Sequence, residues 1–302
     1  MIINSETSMR TSFLVLLFIN FCLVSLPGGI FACSPAFEAL EPISQQGNSL
    51  EDISFSPANT LYAIDSSKNK IVVYGLDGEI ASKLFVERPT AIAVSDSAIY
   101  VGSSNDFSVA ILDLTGQVIG YLGQGAQEFK LPRNIAIDHE TNEIYVVDQL
   151  DHSIKVYGHD GTFLRRIDDS PNLPQDVTIV GDEIFVLDQP LMTDAYGDQI
   201  RGARVSVFDK TGNMVRSFGT YGASDGEFVR PKAIASDPQK GIFISDAFNG
   251  SVLWFGLDGN FQQSVRDPGS SLTGAMGLTI DQTGRLLVST PLTGRLDVFL
   301  LY

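Results

Sequence analysis

The chain is nearly devoid of cysteine. Cys22 and Cys33 are the only two, and both fall within the first 33 residues. The rest of the protein therefore carries no disulfide and no cysteine-based metal cluster. Basic residues are also scarce: 20 Lys and Arg stand against 36 Asp and Glu, for a formal net charge of −16. Residues 1–32 contain one acid, Glu6, and one base, Arg10, so the remainder keeps the whole imbalance. Such a surface repels phosphate backbones and anionic headgroups, which argues against nucleic acid as a partner and against direct contact with anionic lipid. Histidine is limited to His139, His152 and His159. No helical periodicity appears after residue 33.

What the chain does have is 44% hydrophobic residues with ample glycine and aromatics, a globular composition. At the front, Met9-Arg10 precedes the apolar run FLVLLFINFCLVSL, residues 13–26, followed by Pro27-Gly28-Gly29 and Ala32. A short basic start, an apolar middle and a small-residue end predict a secretory signal over residues 1–32, with Met9 as an alternative start. The run is shorter than the ~20 residues of a comfortable membrane span. Ile30-Phe31-Ala32-Cys33 resembles a bacterial lipobox, with Phe31 where a small residue is usual. The expectation is export to the cell envelope, with Cys33 lipidated as the membrane anchor. Simple cleavage to a periplasmic or secreted form is the alternative.

The body of the chain repeats. Thr60 to Gly78, Glu143 to Gly161 and Gly241 to Gly259 each span 19 residues. In each, an alternating apolar run ends in Asp (Asp65, Asp148, Asp246), and a second run starts six residues later and closes on an Asp-Gly turn. Weaker copies run through Ser103 and Thr290. In the remaining copy the step from Asp188 to Val205 is 17 residues, an insertion of 11. Proline-led runs such as PTAIAV, PRNIAI, PQDVTI and PKAIAS precede the copies. Period-two alternation with β-branched and aromatic residues marks strands. The unit is four short antiparallel strands in about 40 to 45 residues, the spacing of a propeller blade.

SFGTYGASDGEFVRPKAIASD, residues 217–237, resembles the NHL-repeat signature, and GYLGQGAQEFKLPRNIAID, residues 120–138, repeats it. The resemblance implies an all-β, six-bladed β-propeller over residues 50–302. The sixth copy reaches only a third strand at RLDVFLLY. FEALEPIS, residues 37–44 of the N-terminal segment 33–49, is the expected donor of the strand that closes the last blade.

The recurring Asp65, Asp148, Asp188 and Asp246 are expected to tie their own turns between second and third strands. The histidines are expected at the surface, kept apart by turns at opposite blade ends. No catalytic residue is evident. Two features break the repeat and mark a binding face. One is the insertion, with Met192, Tyr196 and Arg201. The other is the set of inner-strand starts, Arg133, Asn134, Asp176 and Lys232, with Glu51 and Gln175 beside them. Together they predict a binding scaffold without a resident cofactor, working as a monomer on a protein, peptide or small ligand. The competing reading is a metal-dependent hydrolase or lyase, with Asp52, Asn134 and Asp176 holding Ca²⁺. That reading resembles calcium-dependent lactonase propellers in architecture; a Zn²⁺ site like that of NHL-like lyases would need histidines from several blades.

Overall fold

In the computed structural model the described residues are 22–26, 29–33, 37–44, 49–75, 78–169, 171–193, 196–266 and 272–302. Most of the expected export signal, and the side chain of Cys33, lie outside them. Cys22–Leu26 and Gly29–Cys33 pair as an antiparallel hairpin belonging to a small unit of its own. The second unit, Phe37–Leu301, holds the repeats.

Six four-stranded antiparallel sheets follow one another. Blade 1 is Leu50–Phe55, Leu61–Asp65, Lys70–Tyr74 and Ile80–Phe85. Blade 2 is Pro89–Val94, Ile99–Ser103, Val109–Leu112 and Val118–Leu122. Blade 3 is Pro132–Asp138, Glu143–Asp148, Ser153–Gly158 and Phe163–Ile167. Blade 4 is Pro174–Val180, Glu183–Asp188, Arg204–Asp209 and Met214–Phe218. Blade 5 is Pro231–Asp237, Gly241–Asp246, Ser251–Phe255 and Phe261–Val265. Blade 6 is Leu278–Ile280, Arg285–Thr290 and Arg295–Leu301, completed by Phe37–Ser44. The expected donor thus pairs antiparallel with the last strand, Phe37 opposite Leu301 and Ile43 opposite Leu296. Its register slips between Leu40 and Ile43, around Pro42, which an outer strand tolerates.

The burial pattern explains the alternation. Second strands such as Leu61–Asp65, Ile99–Ser103 and Gly241–Asp246 are buried on both faces, because a blade is sandwiched between neighbours. Six apolar clusters fill the six interfaces between blades. One joins Leu50, Ile53 and Val72 of blade 1 to Leu287, Leu296 and Val298 of blade 6, so the ring is closed. The NHL-like stretches have a packing reason. Gly123 and Gly219 both sit at φ +73, and a Cβ at either would run into the ring of Phe129 or Phe228. Both rings are buried where two blades meet.

Candidate functional site

Backbone pairing fixes which end of each blade is which. Pro174, at the start of an inner strand, pairs with Asp188, at the end of a second strand. Inner-strand starts and the connections between second and third strands therefore share one face. In blades 1 to 5 the pairing register shifts at that inner-strand start, between Leu50 and Ile53, Pro89 and Ala91, Pro132 and Asn134, Pro174 and Asp176, and Pro231 and Ile234. Such a bulge re-aims side chains. Consecutive residues, which an unbroken strand would send to opposite faces, both reach the channel mouth here. Sequence patterning located the positions but carried no sign of the bulge.

Glu51, Asp52, Thr90, Arg133, Asn134, Gln175, Lys232 and Gly277 line one small cavity of about 30 Å³ at the mouth. Beneath it the channel widens to about 210 Å³, with Asp52, Asn134 and Asp176 on its wall beside Ser54, Thr178 and Ser236. The expected convergence of Asp52, Asn134 and Asp176 from three blades is present in the geometry. So is that of Arg133 and Lys232.

The two carboxyls are already engaged. Asp52 accepts hydrogen bonds from the N–H of its neighbour Ile53 at 3.0 Å and of Ile92, in blade 2, at 2.9 Å. Asp176 accepts from Val177 at 2.7 Å and from Ile234, in blade 5, at 2.8 Å. Each is a staple from one inner strand to the next. Burial raises Asp52 from 3.8 to about 6, opposed by those N–H groups and Arg133 and assisted by Glu51. Burial, followed by the charge of Asp52, raises Asp176 well above the ordinary carboxylate range. Burial, with Arg230 and Arg133 nearby, lowers Lys232. Among the described residues no cluster of three His, Cys, Asp or Glu side chains is arranged to hold a metal. The Asp52, Asn134 and Asp176 set offers two carboxylates, each with an oxygen turned to a neighbouring strand, and one amide.

The insertion folds as a hairpin, Leu191–Thr193 paired with Gln199–Arg201, on the mouth face. Tyr196 is 92% exposed near its tip, and Arg201 is exposed too. Met192 is exposed at 38%, yet it folds against Gly202, where a Cβ would strike its sulfur. It packs the hairpin as well as facing out.

Two expectations need correction. Asp148 mainly pins the chain entering the inner strand instead of its own turn, whereas Asp188 spans both, binding Arg204 at the start of the third strand at 3.0 Å. Asp148 accepts from Lys130 and Leu131, the latter at 2.8 Å, and Asp188 from Asn172 at 2.7 Å. Asp246 does both, accepting from Val229 at 2.7 Å and Phe248 at 3.0 Å. The reason is proximity: inner-strand starts and second-strand ends are hydrogen-bonded neighbours. The histidines, secondly, are not all held apart. His139 and His159 line one groove of about 410 Å³ on the face opposite the mouth, with Asp96, Tyr100 and Ile119. His152 lies at the other end, in the left-handed conformation at φ 50, and its Nδ1 accepts from Leu173 N–H at 3.3 Å. Asn69 does the same for Arg88 in blade 1 at 2.9 Å.

A family model described as "6-bladed beta-propeller" matches residues 81–178. A gluconolactonase from Xanthomonas campestris is similar in fold, with a TM-score of 0.67 at 18% identity, covering 86% of this chain and 89% of that one. A streptogramin B lyase structure gives a TM-score of 0.62 at 15% identity, covering 89% of this chain and 100% of that one. At such identities the likeness is one of fold. Six closed four-stranded blades, the family match and both neighbours agree that this chain is a six-bladed β-propeller.

Proposed function

We propose that the protein is an exported binding propeller, held at an envelope membrane through Cys33, that presents its mouth face to a protein, peptide or small ligand. The convergence of Glu51, Arg133, Asn134, Gln175 and Lys232 on one cavity carries this reading, because they come from blades 1, 3, 4 and 5. The blade 4 hairpin stands on the same face and supports it. The Gly, Glu-Phe and Pro pattern around residues 217–237 supports assigning the blades to the NHL class. A photocrosslinker at Tyr196 or Thr90, with Asn142 on the opposite face as control, tests the reading in the native envelope. Adducts are expected from Tyr196 and Thr90 alone. Equal adducts from Asn142, or none from the mouth face, would reject it. Mass spectrometry of the mature N-terminus tests the anchor, which an unmodified residue other than Cys33 would remove.

A second reading is a metal-dependent hydrolase or lyase using Asp52, Asn134 and Asp176. The raised proton affinity of the two carboxyls favours it, since perturbed groups gather at working sites. Its test is a thermal melt with and without chelator, and a melting shift would favour the enzyme.

A further inference from the structure

We propose that the mouth is a carboxylate receptor, in which Arg133, Gln175 and Lys232 form an arc that grips the ligand's carboxylate. This rests on the mouth-face reading above and narrows its ligand. In blade order the first mouth position reads Glu51, Thr90, Arg133, Gln175, Lys232, Met276. Donors thus occupy three consecutive blades. The one acid in that series sits on blade 1, across the axis from blade 4, and its carboxylate accepts from the Ser66 hydroxyl.

Arg133 and Lys232 differ from most bases of this acidic chain. Lys155, Arg165, Arg204 and Arg216 pair with Asp or Glu. Among the described residues no carboxylate lies within salt-bridge distance of Arg133 or Lys232. Both are half-buried and line the same small cavity. Two like charges facing one partly desolvated cavity repel each other unless an anion joins them. The depression of Lys232 by burial, Arg230 and Arg133 reflects that cost. The acids below are already partnered. Asp52 and Asp176 turn oxygens to backbone N–H groups of neighbouring inner strands, and burial holds the Asp176 proton well above the ordinary range.

Size and shape select within anions. About 30 Å³ is room for roughly two water-sized occupants, which suits the flat end of a carboxylate better than a bulkier tetrahedral anion. A guanidinium fork matches that plane with two parallel hydrogen bonds.

Calorimetry on the purified protein tests this with three probes: succinate, a short peptide with a free C-terminus, and the same peptide amidated. Saturable binding of succinate or the acid peptide, but not the amide, is expected. Succinate binding points to a small acid, and binding of the acid peptide alone to a chain end. Arg133→Gln and Lys232→Gln should each weaken binding about tenfold or more. Lys232→Arg should retain it, and Lys83→Gln, on the outer strand of blade 1, should leave it unchanged. Melting curves confirm that each variant is folded. Binding of no carboxylate, or binding indifferent to both Gln variants, overturns the proposal. Mouth-face crosslinks that persist in that case would leave the binding reading standing, whereas their loss would remove both.

Discussion

Replacing Asp52 by asparagine should change how stability depends on pH. The carboxyl is raised from 3.8 to about 6 in the folded protein. Between those values the folded state binds a proton that the unfolded chain has released, so this group's stabilisation is full below about pH 4 and is lost as pH rises through about 6. At about 1.4 kcal/mol per tenfold change in proton affinity, the loss is about 3 kcal/mol by pH 7.5. The amide of the variant would not titrate. The absolute cost of the substitution is complicated, because an amide offers one acceptor where two N–H groups, from Ile53 and Ile92, now bind. The wild type minus variant difference, followed across pH, cancels that cost. Removing the Asp52 charge also lets Asp176 relax downward, since that charge helps to raise it, and this adds to the difference with the same sign. Urea unfolding of both proteins at pH 4, 5, 6 and 7.5 measures it. The difference should fall by about 3 kcal/mol from the acid to the neutral end. A flat difference, or one that rises with pH, would show that Asp52 is not a buried staple, and the account of the channel would fail with it.

Two further outcomes concern the ring. Phe37→Ala removes an edge-to-face contact with Phe299 at 5.9 Å and part of the packing on the blade 5–6 cluster, and should cost about 2 kcal/mol in urea unfolding. Removing residues 1–44 should destabilise far more than removing 1–36, and equal melting of the two truncations would refute closure by this strand. Lys155→Met should cost about 3 to 5 kcal/mol. Lys155 is buried, with its ammonium 2.9 Å from Asp148, 3.4 Å from Asp151 and donating to the Glu128 carbonyl. A loss under about 1 kcal/mol would mean those carboxylates are satisfied without it.

The closing strand shows how far patterning reaches. FEALEPIS is identifiable because the sixth repeat lacks a fourth strand, and bare sheet edges are unfavourable. The structure pairs it as expected. The mouth is half legible: the repeat marks the positions of Arg133, Asn134, Asp176 and Lys232, and the bulges that bring neighbouring residues to one cavity are hidden. Lys155 escaped the sequence reading. Its position between Ile154 and Val156 in a strand with both faces buried was the available signal, because a lysine there must find acids.

By itself the sequence determined the architecture and the charge. Strand period, turn residues and repeat length are local properties, written in consecutive residues, and counting them yields blades. The tertiary structure alone decided the partners. Asp52 bonds to Ile92 and Asp176 to Ile234, while His139 and His159 line one groove. Such contacts depend on the angle at which blades meet and on where a strand bulges. Those are set by packing around the whole ring, and no single repeat encodes them.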